Sequence, residues 1–259
     1  MRVARRRLLA LVCLVALGAV ADGAAARTLA EIRARGVVSQ CANPDALPYS
    51  SKQTDTPGFQ IEIGRALAKG LGVSHQVEWI IPRLRAGLVD CDLLLDTIVT
   101  PETERGPVKL SHPYQRSGVA LAMRGDASSV RGFGDIAPAQ RIGVMINSVA
   151  SKLLNERGVR TVPYAFERDM VEDVVKGEID GCAVSPATIA YYMHVHANAG
   201  VRYVHAYDSE PELRWTVAVG MRRGDEALLD AVNAIVDGLV EDGSLARIYA
   251  RYGVDYRRP

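Results

Sequence analysis

The chain carries almost no surplus of charge: its 259 residues hold 31 lysines and arginines against 30 aspartates and glutamates, a formal net charge of +1. Beyond the first seven residues no basic stretch clusters, which excludes the electrostatic footprint that nucleic-acid phosphates demand. Cysteine is scarce, four residues in all, with none at the pair spacing of a zinc site. His194 and His196 lie two apart on an expected helix and point to different faces, a poor metal pair. No metal and no cofactor is expected. Internal repeats, charge blocks and low-complexity linkers are also missing, so composition marks no domain boundary and ends at an α/β class.

Long apolar runs are absent too, with one exception. Arg5, Arg6 and Arg7 precede an unbroken apolar run from Leu8 to Val20, followed by Ala24-Ala25-Ala26, the small-residue pattern a signal peptidase accepts. As a helix the run would rise only about 20 Å, short of a hydrocarbon core of about 30 Å. Residues 1–26 are therefore read as a signal peptide cleaved after Ala26, which places the protein in the periplasm. Losing Arg2, Arg5, Arg6, Arg7 and Asp22 leaves 27 basic and 29 acidic side chains, a net charge of −2. Such a balance suits a small neutral or weakly charged partner. Cys13 leaves with the signal, and Cys41, Cys91 and Cys182 remain in a compartment that permits disulfides. Cys41 ends one expected strand and Cys91 opens another, so a bridge requires those strands to be neighbours. Cys182, within Gly181-Cys182-Ala183-Val184, reads as a buried free thiol.

Strand and helix patterns alternate along the rest. Val37 to Cys41 reads as a strand, then a loop from Asn43 to Tyr49, then a helix whose stripe is Phe59, Ile63, Ala66, Leu67 and Leu71, closed by Gly72. Pro82 to Val89 reads as a short helix and Cys91 to Leu95 as a buried strand. Arg141 to Ile146 is a further strand, with Ser148 capping the next helix and Gly158 stopping it. Met170, Val171, Val174 and Val175 mark a helix ended at Gly177; Ile179 to Val184 and Thr216 to Met221 are apolar strands. Asp225 caps a helix with the stripe Leu228, Val232, Ile235, Val236 and Leu239, and Leu245, Ile248, Tyr249 and Tyr252 share one face of a last helix. The alternation argues for parallel sheets covered by helices.

Several segments, in order, resemble one family. They are Pro57-Gly58-Phe59-Gln60-Ile61-Glu62-Ile63 with Leu67-Ala68-Lys69-Gly70-Leu71-Gly72; Ile81-Pro82-Arg83-Leu84 with Gly87-Leu88-Val89-Asp90; Thr97-Ile98-Val99-Thr100-Pro101-Glu102; Leu110-Ser111-His112-Pro113-Tyr114; and Gly224-Asp225, Leu228, Val232-Asn233 and Asp242-Gly243. Together they resemble the bacterial extracellular solute-binding proteins of family 3, the polar amino-acid type. The resemblance implies a periplasmic-binding-protein-like α/β clamshell of type II, two α/β lobes joined by two crossing strands, here about Val119 to Met123 and Thr216 to Met221. Lobe one would span residues 27–121, completed by 219–259, and lobe two residues 122–218. It also implies capture of a small polar solute between the lobes and delivery to a membrane ABC permease, without catalysis. A narrower likeness lies in Cys41-Ala42-Asn43-Pro44-Asp45-Ala46-Leu47-Pro48-Tyr49-Ser50, in Cys91-Asp92, and in Met170 to Asp180 with Pro186 and Tyr191-Tyr192. These resemble a subgroup associated with periplasmic quinoprotein alcohol and methanol dehydrogenases, whose longer insertion this chain lacks. An accessory protein of such a dehydrogenase is the alternative. A dehydratase-like enzyme is a third reading, because some relatives of the fold are cyclic-acid dehydratases, but no nucleophile and base are evident and no catalytic residue is assigned.

The resemblance locates the cleft and exposes two departures from the family. An amino acid needs a cation for its carboxylate and an anion for its ammonium, because either charge buried unpaired is costly. The position that normally carries the arginine is Thr103, with Arg105 two residues on, either reaching the cleft or solvated. The position that normally carries the aspartate is Ser185. Other candidates are Asp96, just beyond its strand where open sheets place ligand contacts, and Thr97 beside it. Asp96 could equally hold a local turn. Ser148 offers a helix N-terminus to an anion or simply caps. Tyr49 and Trp79 offer ring faces, with core packing the alternative for Trp79. Asn43 and Asp45 stand at the cleft mouth or stabilise their turn. His112 is expected at the surface.

Overall fold

The computed structural model describes residues 27–80, 91–125, 129–222 and 224–259. The expected signal segment 1–26 and the expected helix Pro82–Val89 lie outside the described residues. The first lobe begins with helix α1 (Leu29–Arg35), strand β1 (Val37–Ala42), a small hairpin of β2 (Asp45–Ala46) and β3 (Ser50–Ser51), helix α2 (Phe59–Leu71) and strand β4 (Ser74–Trp79). Strand β5 (Leu93–Ile98), the one-turn helix α3 (Pro101–Glu104) and the long strand β6 (Val108–Gly118) follow. The second lobe holds β7 (Ala120–Arg124), β8 (Arg141–Met145), α4 (Val149–Glu156), β9 (Arg160–Tyr164), α5 (Glu167–Lys176), β10 (Gly181–Val184), α6 (Pro186–Val195) and β11 (Val201–Val204). The chain then returns through β12 (Arg214–Arg222), α7 (Glu226–Glu241) and α8 (Ser244–Ala250).

Two five-stranded sheets result, in the orders β4-β1-β5-β12-β6 and β11-β7-β10-β8-β9. In the first, β1 runs parallel to β4 and β5, and in the second β8 runs parallel to β9 and β10, so each sheet has a carboxyl edge at which loops can gather a ligand. Each sheet has its own apolar core. One forms around Leu121, Ile142, Met170, Val171 and Cys182, the other around Phe59, Leu67, Leu93, Val219 and Val232.

The chain changes sheets between Gly118 and Ala120 and returns at Arg214. The two crossings touch: the Val119 N–H donates to the Leu213 carbonyl at 2.8 Å. A Cβ at Gly118 would lie 2.4 Å from the Leu213 oxygen and 2.6 Å from the Tyr207 ring, so only glycine lets the crossings approach. The lobes also meet through α6, whose Ala187 is 3% exposed within the first lobe's core and whose Tyr191 ring lies 6.3 Å from that of Tyr252.

Local signals behave as the residues predict. Ser148 caps α4 and Asp225 caps α7, while Gly72 and Gly177 take left-handed conformations at the ends of α2 and α5. Helix α2 has no side-chain cap of its own. The Tyr252 hydroxyl, from the far end of the chain, accepts from the Gly58 N–H at 3.0 Å and donates to Glu62 at 2.7 Å. Parallel pairing of β1 with β5 brings Cys41 and Cys91 together, and they form a disulfide with Cα atoms 5.5 Å apart. Cys182 is a buried free thiol.

Candidate ligand-binding cleft

The cleft is built on the first lobe by the turn that enters α2. The Phe59 and Gln60 N–H groups, unpaired within the helix because they lie in its first turn, donate to the carbonyls of Pro48 (2.9 Å) and Tyr49 (3.0 Å). This fastens Tyr49 to the helix, and its ring packs 5.0 Å from that of Phe59. Asp96 lies within β5, two residues before its carboxyl end, and not beyond the strand as expected, because the ladder with β12 continues to Ile98. It touches solvent, yet desolvation raises its carboxyl above the usual range, partly opposed by its own backbone N–H.

The second lobe contributes a carboxylate that sequence reasoning missed. Glu167, the first residue of α5, accepts from the Ser185 N–H at 2.9 Å and from the hydroxyls of Ser185 and Thr188, each at 2.6 Å. Ser185 is the N-cap of α6, so the carboxylate sits at that helix's amino end. Ser185 itself is no acid, as the sequence shows, but the structure places an acid upon it. Tyr49, in the first lobe, is shifted by the same group. Burial first, then the charge of Glu167, then that of Asp96 push its phenol up, while the hydroxyls of Ser185 and Thr188 act in the opposite sense. Asp96 likewise raises Tyr114, whose hydroxyl donates to the Leu95 carbonyl, after the larger effect of burial. Among the described residues, no lysine or arginine pairs with Asp96 or Glu167.

The other expected residues divide by what they touch. Thr103 and Thr100 cap α3 reciprocally, and the Arg105 guanidinium donates its Nε–H to the Pro101 carbonyl at 2.8 Å on the exposed side of that turn. Its recorded partner is therefore its own helix. Asn43 accepts from the Asp45 N–H at 3.0 Å, an Asx turn, and Asp45 is exposed. Thr97 donates to the Leu94 carbonyl at 3.4 Å and lies where a Cβ at Gly220 would be, 2.4 Å from its hydroxyl, toward β12. Trp79 is half-buried beneath the Lys52 ammonium, 5.9 Å from its ring centre. Ser148 accepts from the Ser151 N–H at 3.1 Å as a cap. His112 is exposed and paired with Asp237 at 3.0 Å. Of the expected residues, Ser185 joins a hydrogen-bonded cluster, with Glu167 and Thr188. No sequence signal flags Glu167, which reads as an ordinary first-turn acid of its helix.

Two sheets joined by touching crossings define the clamshell fold of binding proteins. The chain belongs to the bacterial extracellular solute-binding proteins, family 3, whose family model matches residues 38–255. It is 23% identical over 224 residues to a probable histidine-binding protein of Neisseria gonorrhoeae, covering 82% of this chain and 81% of that one. It is 25% identical over 236 residues to the L-cystine-binding protein TcyJ of Escherichia coli, covering 88% and 86%. It also matches the membrane-bound lytic murein transglycosylase F of Yersinia pestis at 23% identity, spanning about half, 47%, of that longer protein. Among solved structures, an ancestral cationic amino-acid solute-binding protein superposes with a TM-score of 0.72 at 26% identity, covering 86% of this chain and 98% of that one. The unliganded open L-cystine solute receptor of Neisseria gonorrhoeae superposes with a TM-score of 0.71 at 20% identity, covering 89% and 99%.

Proposed function

We propose that the protein is exported, captures a small polar solute between its lobes, and presents it to a membrane ABC-type permease. The observation that carries this reading is the fold of two sheets joined by paired crossings, which puts the Glu167–Ser185–Thr188 cluster at the carboxyl edge of the second sheet, on the cleft between the lobes. A ligand held there touches both lobes at once, so binding favours the closed form over the open one. The curated relatives named for histidine and cystine binding support the transport role, and the signal-like residues 1–26 support export. A thermal-shift panel of amino acids, polyamines, sugars, alcohols and quinone cofactors tests it. A ligand at a hundred times its dissociation constant stabilises by about 2.7 kcal/mol. A panel without a single shift would refute capture of a free solute.

A second reading has one observation in its favour. The bridged Cys41–Cys91 pair belongs to the stretch that resembles the proteins associated with quinoprotein dehydrogenases. On that reading the clamshell docks on a periplasmic dehydrogenase. Deleting the protein would then lower dehydrogenase activity or assembly, and unchanged values of both would dispose of it. Catalysis by the clamshell itself would show as consumption of a prephenate-like cyclic acid by the purified protein.

A further inference from the structure

The last residues of the chain bind both lobes. Residues 253–259 follow α8 and are anchored to the first lobe by their backbone and tyrosine. Val254 is buried in that lobe's core, and the Tyr256 hydroxyl donates to the Tyr114 carbonyl of β6 at 2.6 Å. The Arg257 carbonyl accepts from the Arg116 N–H, also of β6, at 2.9 Å, and the Arg258 guanidinium donates to the Val240 carbonyl of α7 at 3.2 Å.

The same segment grips the second lobe at two places. Gly253, with φ +66°, passes so close to α6 that a Cβ on it would lie 2.4 Å from the Cβ of His194. Arg257 reaches the short turn Ala206–Ser209: its Nη1 donates to both carboxylate oxygens of Asp208, at 2.9 and 3.0 Å, and its guanidinium lies 5.4 Å from the centre of the Tyr207 ring. Tyr207 belongs to the second lobe's core and is the ring against which Gly118 of the outgoing crossing packs. The Arg257 backbone is thus held by one lobe and its side chain by the other, beside the contact of Val119 with Leu213 about which the lobes turn. Rotation there carries Asp208 away from the strand that fixes the Arg257 backbone. Hydrogen bonds of these lengths leave the normal range after about 0.3 Å of extension. Stacking on Tyr207 also shelters the cation, whose side chain is 22% exposed against 55% for Asp208.

We propose that residues 253–259 form a strap across the hinge and that Arg257 with Asp208 is its latch, holding the lobes in the arrangement described. The latch acts on the hinge whatever solute the cleft takes. A ligand that requires another arrangement must first break the pair, so its apparent affinity falls with the fraction of molecules left unlatched.

Distance measurement between two spin labels tests this without a ligand. The labels are placed by Asp230→Cys on α7 and Glu156→Cys on α4, both exposed, while Cys182 is buried and Cys41 and Cys91 are bridged. A pair this exposed moves an equilibrium by up to about fivefold, and the ring contact adds to it. Arg257→Ala and Asp208→Ala are each expected to raise the share of lobe separations other than the wild type's at least threefold. The double variant is expected to shift them no further than one single variant does, because both break the same pair. Salt at about 0.5 M is expected to move the wild type toward the variants and to leave the variants where they are, a readout that survives if a substitution folds poorly. Unchanged separations in both single variants, additive shifts in the double variant, or a wild type indifferent to salt would each overturn the latch.

Discussion

Replacing Cys41 and Cys91 together by serine tests how the cleft wall of the first lobe is held. The bridge closes a segment of 50 residues that contains the Asn43–Tyr49 loop, α2 and β4. In the chain-entropy treatment, freeing a loop of that length returns about 14 cal/mol/K to the unfolded chain, or about 4 kcal/mol at 25 °C. The two sulfurs lie in a small apolar cluster with Ile80 and Leu94, and Cys41 and Cys91 are 7% and 1% exposed. Two serine hydroxyls there add a desolvation cost of about 1–3 kcal/mol each unless they find partners, so alanine replacements give the cleaner number. For a chain of this size each kcal/mol moves the midpoint by about 2–4 °C, so the alanine pair should melt about 8–16 °C below wild type. Urea unfolding with and without dithiothreitol is the assay. The wild type should fall to the stability of the alanine pair when reduced, and the alanine pair should not respond to reductant. A loss below about 1 kcal/mol would refute the reasoning, meaning that the reduced chain is already as restricted as the bridged one.

Other outcomes follow from single positions. His75 is partly buried against Gln40, with Nε2 and Oε1 2.9 Å apart, and burial followed by Arg65 lowers its pKa to about 4. Because the unfolded histidine binds its proton near pH 6.5, the His75 contribution is complete above that value and is lost as pH falls toward about 4. Allowing for solvent screening, it amounts to about 1–2 kcal/mol. His75→Gln should flatten that stretch of the stability–pH curve, measured by urea midpoints, and an unchanged slope would contradict the assignment. Gly58→Ala puts a Cβ 2.4 Å from the Tyr49 oxygen at a φ of +93°, and should cost at least about 2 kcal/mol while weakening ligand binding through displacement of Tyr49. Wild-type affinity in this variant would show that Tyr49 does not face the ligand. Gly118→Ala drives the crossings apart at Leu213 and should destabilise by about 2–3 kcal/mol in thermal melts; a neutral result would mean that the crossing relaxes freely.

What was readable before folding depended on where an element lies in its sheet. The buried strands β1, β5, β10 and β12 announce themselves as apolar runs. Strands β4, β9 and β11, which carry no such run, all lie at sheet edges. In β4 the burial alternates between exposed and half-buried, and β9 carries Pro163, which an edge strand tolerates because one side needs no ladder donor. The edge strand β6 likewise carries Pro113, opposite a register shift in β12.

The sequence by itself determined the alternation of strands and helices, the caps at Ser148 and Asp225, and the family to which they belong. Stripes, caps and glycine stops are local, and they report on neighbours three or four residues away. It also showed that Ser185 and Thr103 are not the expected charges. That an acid nonetheless occupies the Ser185 position was decided only by tertiary structure. In one dimension Glu167 is a first-turn acid suited to its helix dipole, 18 residues from Ser185. Only the parallel packing of β8, β9 and β10 brings the start of α5 against the start of α6. A hydrogen bond across elements depends on the relative placement of two backbones, and no periodicity along the chain encodes it.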